Sequence, residues 1–205
     1  DQMKLGAVVT MTGNTLTGNR ATGNGGGCYI RGDIEEGVTY IFRQNHVDHN
    51  FAEQNGGGCY FVEVVDSNVI KSSLLEVVDN TFDHNTAGGD YGGLFVADLK
   101  NSYLRFWRNQ LVGNRAGISG TISTGGNGGG LYFAAIDLGS TVDFRDNEVI
   151  SNMAYTATTG GEGAYGGLYA DVKDGSALAI QNSRFENNAA ESDYAGIYAM
   201  LVDNA

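Results

Sequence analysis

Proline is absent from the 205 residues, and cysteine occurs only twice. Charged residues make up 18% of the chain, and acidic residues outnumber basic ones, so the formal net charge is −12. This acidity argues against nucleic acid and anionic membrane surfaces as partners. No apolar run reaches the ~18 residues typical of a membrane-spanning helix, so we expect no membrane insertion. Two cysteines neither require nor exclude an oxidising compartment.

Glycine is abundant instead, with 32 residues, and much of it falls in a phrase that returns along the chain. The phrase reads "NGGGCYI" at 24–30 and "NGGGCYF" at 55–61. Altered copies read "GGLFV" at 92–96, "GGGLYF" at 128–133, "GGLYA" at 166–170 and "AGIYA" at 195–199. Self-similarity at periods of this size indicates a repeat architecture.

Each repeat also carries two polar anchors five residues apart. The pairs are Asn14/Asn19, Asn45/Asn50, Asn80/Asn85, Asn109/Asn114, Asn147/Asn152 and Ser183/Asn188. An alanine follows two places after each second anchor, and the apolar residues around the anchors are spaced by two, which is the period of a β-strand. Six units share this template at spacings of 29 to 38 residues.

Short strands at such a period, separated by glycine, asparagine and serine corners, predict a solenoid in which each coil pairs with the next. We therefore predict an all-β fold, a right-handed parallel β-helix of about six coils with 29–38 residues per coil. The right-handed winding follows the preference of crossovers between parallel strands. Residues 1–205 are expected to form one domain. This domain is either a segment of a longer solenoid or the subunit of a filament.

Stacked asparagines explain both the anchors and the missing proline. In register, the amide of one coil can bond to the amide of the next, which satisfies these polar groups inside the solenoid. Proline would remove a ladder hydrogen bond. We predict a structural role for the second anchors, which are Asn19, Asn50, Asn85, Asn114, Asn152 and Asn188.

The strongest candidate for chemistry is "HVDHN" at 46–50 beside "TFDHN" at 81–85. Asp48 and Asp83 share one column, and His49 and His84 share the next, so each like pair should lie roughly 5 Å apart. Close carboxylates favour acid/base catalysis, and two imidazoles with two carboxylates can also bind a metal. The plainer interpretation is a solvated corner, because the columns continue as Val112 and Gly113. We therefore predict no catalytic residue, metal or other cofactor.

An aromatic column is the second candidate, and every unit contributes to it. Its members are Tyr29, Tyr60, Phe95, Tyr132, Tyr169 and Tyr198. By alternation it lies opposite the Cys/Leu/Ile column, so it is predicted to form an exposed ladder along the solenoid. Such a ladder either stabilises the solenoid by self-stacking or binds sugar rings or another protein.

Three further features remain open from the residues alone. Insertions at 117–128 and 155–166 fall at the same corner of neighbouring coils, where they either carry binding or represent drift in surface loops. Cys28 and Cys59 share one column, at a distance that suits either a disulfide or two stacked thiols. Neither end carries a recognisable cap. From the glycine phrase of one unit to the first strand of the next, the longest gap inside the chain is 17 residues, and the gap from Gly196 to Val9 of a second copy would be 18. A second copy could therefore continue the stack.

Two short elements carry a family resemblance. The first reads "FRQN" at 42–45, "FDHN" at 82–85, "FWRN" at 106–109, "FRDN" at 144–147 and "FENN" at 185–188, and the second is the "GGC", "GGL" or "GI" of each glycine phrase. Together they resemble the FxxN and GG-aliphatic repeats of the chlamydial polymorphic outer-membrane proteins and related parallel β-helices. The resemblance covers nearly all of the chain.

The resemblance implies an extracellular or cell-surface protein of structural or adhesive function, because family members form adhesin passenger domains and surface structures. The expected roles are a scaffold or a surface-fibre component, and the uncapped ends independently predict head-to-tail assembly. Its expected partners are itself, other surface proteins or carbohydrate. One alternative is a carbohydrate-active β-helix enzyme, a lyase or hydrolase, that uses Asp48, Asp83, His49 and His84. Another is a viral or phage fibre segment.

Overall fold

The computed structural model describes residues 6–31, 38–62, 64–65, 73–117, 126–155 and 165–202. Over these residues the protein is an all-β solenoid of parallel strands, as predicted. The described part of the chain contains no helix, and therefore none long and apolar enough to cross a membrane.

The strands of the described residues number 25 and are labelled in chain order. The first unit contains β1 (Val8–Thr12), β2 (Thr15–Thr17), β3 (Arg20–Ala21) and β4 (Cys28–Arg31). The second contains β5 (Thr39–Arg43), β6 (His46–Asp48), β7 (Phe51–Ala52), β8 (Cys59–Val62) and the additional β9 (Val64–Val65). The third contains β10 (Ser73–Val78), β11 (Thr81–Asp83), β12 (Thr86–Ala87) and β13 (Leu94–Lys100).

The later units repeat this order. The fourth contains β14 (Ser102–Trp107), β15 (Gln110–Val112), β16 (Arg115–Ala116) and β17 (Leu131–Asp137). The fifth contains β18 (Thr141–Arg145), β19 (Glu148–Ile150), β20 (Met153–Ala154) and β21 (Leu168–Lys173). The sixth contains β22 (Ala177–Gln181), β23 (Arg184–Glu186), β24 (Ala189–Ala190) and β25 (Ile197–Val202).

Equivalent strands of successive units pair side by side and form four sheets. Sheet 1 has the order β1-β5-β10-β14-β18-β22, sheet 2 the order β2-β6-β11-β15-β19-β23, and sheet 3 the order β3-β7-β12-β16-β20-β24. Sheet 4 has the order β4-β8-β13-β17-β21-β25, and β9 also pairs with β13. Each sequence unit thus contributes one principal strand to every sheet.

The predicted columns lie in the predicted register. In sheet 1, Met11 pairs with Phe42, and Phe42 pairs with Val77. In sheet 4, Cys28 pairs with Cys59, which pairs with Leu94. These side chains point inward and pack as one hydrophobic core along the solenoid. A period of two with one buried face fixes this register, because a shift of one residue would turn every core side chain outward.

Two asparagine ladders run beside the core, as the sequence predicts. Each amide oxygen accepts from the preceding rung: Asn85 donates to Asn114 Oδ1 through its backbone nitrogen at 2.9 Å and through Nδ2 at 3.0 Å. Asn85 Nδ2 also donates to the carbonyl of Val47 at 2.9 Å. Both residues are fully buried. The sequence pattern predicts the amide-to-amide hydrogen bonds, but it does not predict the hydrogen bonds that each rung makes with the backbone.

Replacing a buried rung is expected to destabilise the fold. In Asn85→Leu or Asn114→Leu, the neighbouring amides and a carbonyl lose their partners, at about 1–3 kcal/mol for each buried group left unpaired. Asn19→Leu, in the same column but at an exposed end rung, is the matched control and should cost less. Urea unfolding monitored by circular dichroism gives the free energies. Interior variants that lie within about 0.5 kcal/mol of the parent would contradict a buried, satisfied ladder.

Candidate functional site

The predicted carboxylate and imidazole columns come together on the outside of sheet 2. Asp48 ends β6 and pairs in register with Asp83, which ends β11. His49 and His84 follow these strands at the corner, with φ values of 50° and 48°. The two imidazole rings stack with centroids 5.1 Å apart and planes 19° apart. The predicted pairing of like residues at about 5 Å is therefore confirmed for the histidines.

Each carboxylate lies against the imidazole of its own unit. Asp48 Oδ1 is 2.5 Å from His49 Nδ1, and Asp83 Oδ1 is 2.8 Å from His84 Nδ1. The contact between Asp83 and His84 is close, but its geometry is not that of a hydrogen bond. Asp83 Oδ1 is therefore a buried oxygen with no hydrogen-bond partner among the described residues. The carboxylates are mostly shielded, whereas the rings are exposed. The cluster therefore presents two imidazoles to solvent, each with a carboxylate beside it.

Sequence reasoning missed His46 as a member of this cluster. Its Nε2 lies 3.7 Å from Asp48 Oδ2. His46 and Asp48 are two residues apart on β6, so strand alternation places both on the outer face. This alternation is the sequence signal that would have identified His46 as a neighbour of Asp48. The chain has three histidines, and the structure gathers all of them here.

The predicted aromatic column is also present, and its rings stack from unit to unit. Tyr29 stacks on Tyr60 with centroids 5.5 Å apart, and Tyr132 stacks on Tyr169 at 4.2 Å. Tyr169 in turn stacks on Tyr198 at 5.6 Å. The opposite column of sheet 4 points inward, as the alternation predicts. Self-stacking along the solenoid is thus a property of this column.

The prediction that the whole column is exposed is wrong. Phe95 is only 5% exposed and Tyr169 only 8%. A second row of rings covers them: Tyr91 lies 4.1 Å from Phe95, and Tyr165 lies 4.4 Å from Tyr169, between ring centroids. The exposed members of the face include Tyr29, at 45%, from the predicted column.

The second row consists of Tyr91, Tyr165 and Tyr194, which lie three residues before Leu94, Leu168 and Ile197, respectively. In the other units the same position is Gly25, Gly56 or Gly128. Tyr194 lies 4.4 Å from Tyr198 and is 48% exposed. We call the nine rings of both rows the aromatic face; they are Tyr29, Tyr60, Tyr91, Phe95, Tyr132, Tyr165, Tyr169, Tyr194 and Tyr198.

Polar groups at the aromatic face are partly buried. Burial raises the pKa of Tyr91 and Tyr132 above the usual range; Asp90 raises the pKa of Tyr91 further and neighbouring tyrosines that of Tyr132, so both hydroxyls stay protonated. Burial likewise raises the pKa of Asp90, although a hydrogen bond from Asn127 partly offsets this. Asp90 belongs to a third ladder, in which its backbone nitrogen donates to Asn55 Oδ1 at 2.8 Å. The tyrosine hydroxyls at the centre of the face are therefore neutral.

Sheet 1 carries a ladder of ion pairs on its outer side that the sequence reasoning did not find. Glu76 is only 4% exposed and receives Arg43 at 2.5 Å and Arg105 at 2.7 Å. In the next units the column continues with Arg105 and then Asp143, which pairs with Arg145. Glu76 is thus paired across the strands and Asp143 within its own strand, so these ion pairs stabilise the sheet.

Cys28 and Cys59 lie side by side in the core as free thiols. Burial raises the pKa of the Cys59 thiol, and a hydrogen bond between the two sulfurs raises it further. In this structure the pair packs as two small apolar residues.

The two predicted insertions lie largely outside the described residues, at 118–125 and 156–164. Their described flanks, Gly117 and Gly126 in one unit and Tyr155 and Tyr165 in the next, are adjacent: Gly126 donates to the carbonyl of Tyr155 at 2.9 Å. Both insertions therefore start from the same corner, as the spacing predicts.

Comparison with family models, curated proteins and solved structures gave no match for this chain. The resemblance to the polymorphic outer-membrane repeats thus stays a prediction from the motifs.

Proposed function

We propose that the protein is an extracellular structural and adhesive solenoid that contacts its partner through the aromatic face. The family resemblance carried by the FxxN and GG-aliphatic motifs points in the same direction. In this proposal the winding is right-handed with six coils, one for each sequence unit. The six-strand order of sheets 1, 2 and 3 supports that number.

The aromatic face is the observation that carries the adhesive role. Its rings contact one another from Tyr29 in the first unit to Tyr198 in the last, so they form one continuous stack. The buried rings of Phe95 and Tyr169 contact the outer rings of Tyr91 and Tyr165, so the outer rings pack on a buried layer. Tyrosine combines an apolar ring with a polar tip, and such rings bind sugars and protein surfaces at low entropic cost.

Adhesion is tested by measuring binding of the purified chain to an array of immobilised oligosaccharides and to intact cell surfaces. Tyr29→Ser with Tyr194→Ser removes two exposed rings, and we expect binding to fall at least about tenfold, since an exposed aromatic anchor contributes about 1.4 kcal/mol or more to binding. Leu138→Ser is the matched control, because Leu138 is an exposed apolar residue outside the face. Equal binding by both variants, or no binding by the parent, would contradict the adhesive role.

Head-to-tail assembly is a second candidate role, and the polarity of the asparagine ladder favours it. Asn19 donates to Asn50 Oδ1, and Asn152 donates to Asn188 Oδ1, so each of these rungs directs its backbone N–H and one Nδ2 hydrogen toward the next unit. The first rung consequently turns its amide oxygen outward, and the last turns its N–H groups outward. A further coil, from the same chain or from a second copy, would complete both ends.

Sedimentation velocity at micromolar concentration distinguishes these sources. Stacked copies should give species larger than a monomer that grow with concentration, since a head-to-tail contact does not close on itself. Asn19→Leu with Asn188→Leu should shift the distribution toward monomer, whereas Leu138→Ser should not. A strictly monomeric parent chain would exclude stacking between copies.

The carbohydrate-active alternative relies on the register pairing of Asp48 with Asp83. Polysaccharide turnover that disappears in Asp48→Asn or Asp83→Asn would favour that alternative over adhesion.

A further inference from the structure

We propose that Asp48, His49 and His84 bind one divalent transition-metal ion, for which zinc is the best fit. We call these three residues the metal triad. This inference is independent of the adhesive role, because the triad lies on sheet 2 and the aromatic face on sheet 4 and its corner.

The first argument is the distance between donor atoms. One donor atom from each triad residue lies within 4.8 Å of the other two. A tetrahedral zinc ion with bonds of about 2.0–2.2 Å needs donors roughly 3.3–3.5 Å apart. The His49 and His84 side chains are 65% and 51% exposed, so rotation of the rings can close the difference. Three protein ligands leave the fourth position to water.

The second argument is the carboxylate behind His84. Metal-binding histidines usually donate their other ring N–H to a carboxylate, which fixes the tautomer and orients the ring. Asp83 Oδ1 lies 2.8 Å from His84 Nδ1 and has no aligned hydrogen bond in the described structure. An ion on Nε2 of His84 would keep the proton on Nδ1 and turn this contact into a hydrogen bond. Asp83 is thus a positioning residue for the site.

The third argument is the space around the rings. His49 and His84 continue a corner column that holds Gly18 before them and Gly113 after them. A Cβ atom at Gly113 would lie 2.9 Å from Cδ2 and 3.0 Å from Nε2 of His84. A Cβ at Gly18 would meet nothing within 4 Å. The glycines therefore leave both outer sides of the histidine pair free of side chains.

The donor set decides the kind of ion. Two imidazoles and one carboxylate suit zinc, copper, nickel or cobalt, whereas magnesium and calcium prefer oxygen ligands alone. Because His49 and His84 belong to successive units, one ion would join them across the stack. An ion that binds the folded state at this corner would therefore raise the melting temperature of the protein.

Isothermal titration of the 205-residue chain with zinc chloride tests the site, and magnesium chloride serves as the parallel titration. We expect one zinc ion per chain, no comparable magnesium binding and a rise in melting temperature with zinc. His49→Ala and His84→Ala should each abolish this binding. Asp83→Asn should weaken it by about 10–100-fold, as expected for an orienting carboxylate.

Asp146→Asn is the control, because Asp146 is an exposed acidic residue at a positive-φ corner position and lies outside the metal triad. It should retain binding within about twofold. Zinc binding that is unchanged in His49→Ala and His84→Ala would assign the ion to dispersed acidic residues and overturn the proposal. So would the absence of one-to-one binding in the parent. If an alanine variant fails to fold by circular dichroism, cobalt absorption of the parent decides: lack of the visible bands of a tetrahedral site overturns the proposal.

Discussion

The hydrogen bond between stacked asparagine amides is the constraint on which the rest of this structure depends. An amide has both donors and an acceptor, so one side chain can bond to the rung before it and the rung after it. Asn85 does so while fully buried, with Asn50 on one side and Asn114 on the other. Because Nδ2 also donates to the carbonyl of a preceding strand, each rung fixes the side chain and the backbone together. A coil displaced by one residue would lose all of these bonds inside the protein.

This fixed register aligns the functional surfaces. A residue type that recurs at one position of the template becomes a column, whether it is aromatic, acidic or small. The stacked tyrosines, the paired Asp48 and Asp83 and the alternation of Glu76 with Arg105 all arise in this way. The solenoid therefore turns a sequence repeat into surfaces of repeating chemistry. Both proposed sites, the aromatic face and the metal triad, use columns that span successive units.

The sequence was sufficient to predict the strands, the columns and the asparagine ladders, because period-two alternation and the anchor spacing determine them. It was not sufficient where neighbours from other units decide the environment. Glu76 lies within the apolar-looking β10, and only the register brings Arg43 and Arg105 to its carboxylate. Tyr91 stands in a column shared with glycine, so its cover over Phe95 was not visible as a repeat.

Native-state hydrogen exchange measured by NMR tests the central role of the ladder most directly. The backbone amides of Asn85 and Asn114 donate to buried amide oxygens at 2.9 and 3.0 Å, respectively. We expect them to exchange only through global unfolding, with the full denaturant dependence of that transition. The amide of Asn188, in the last rung, should exchange by local opening. Exchange at Asn85 and Asn114 that is as fast as at Asn188 would contradict the account.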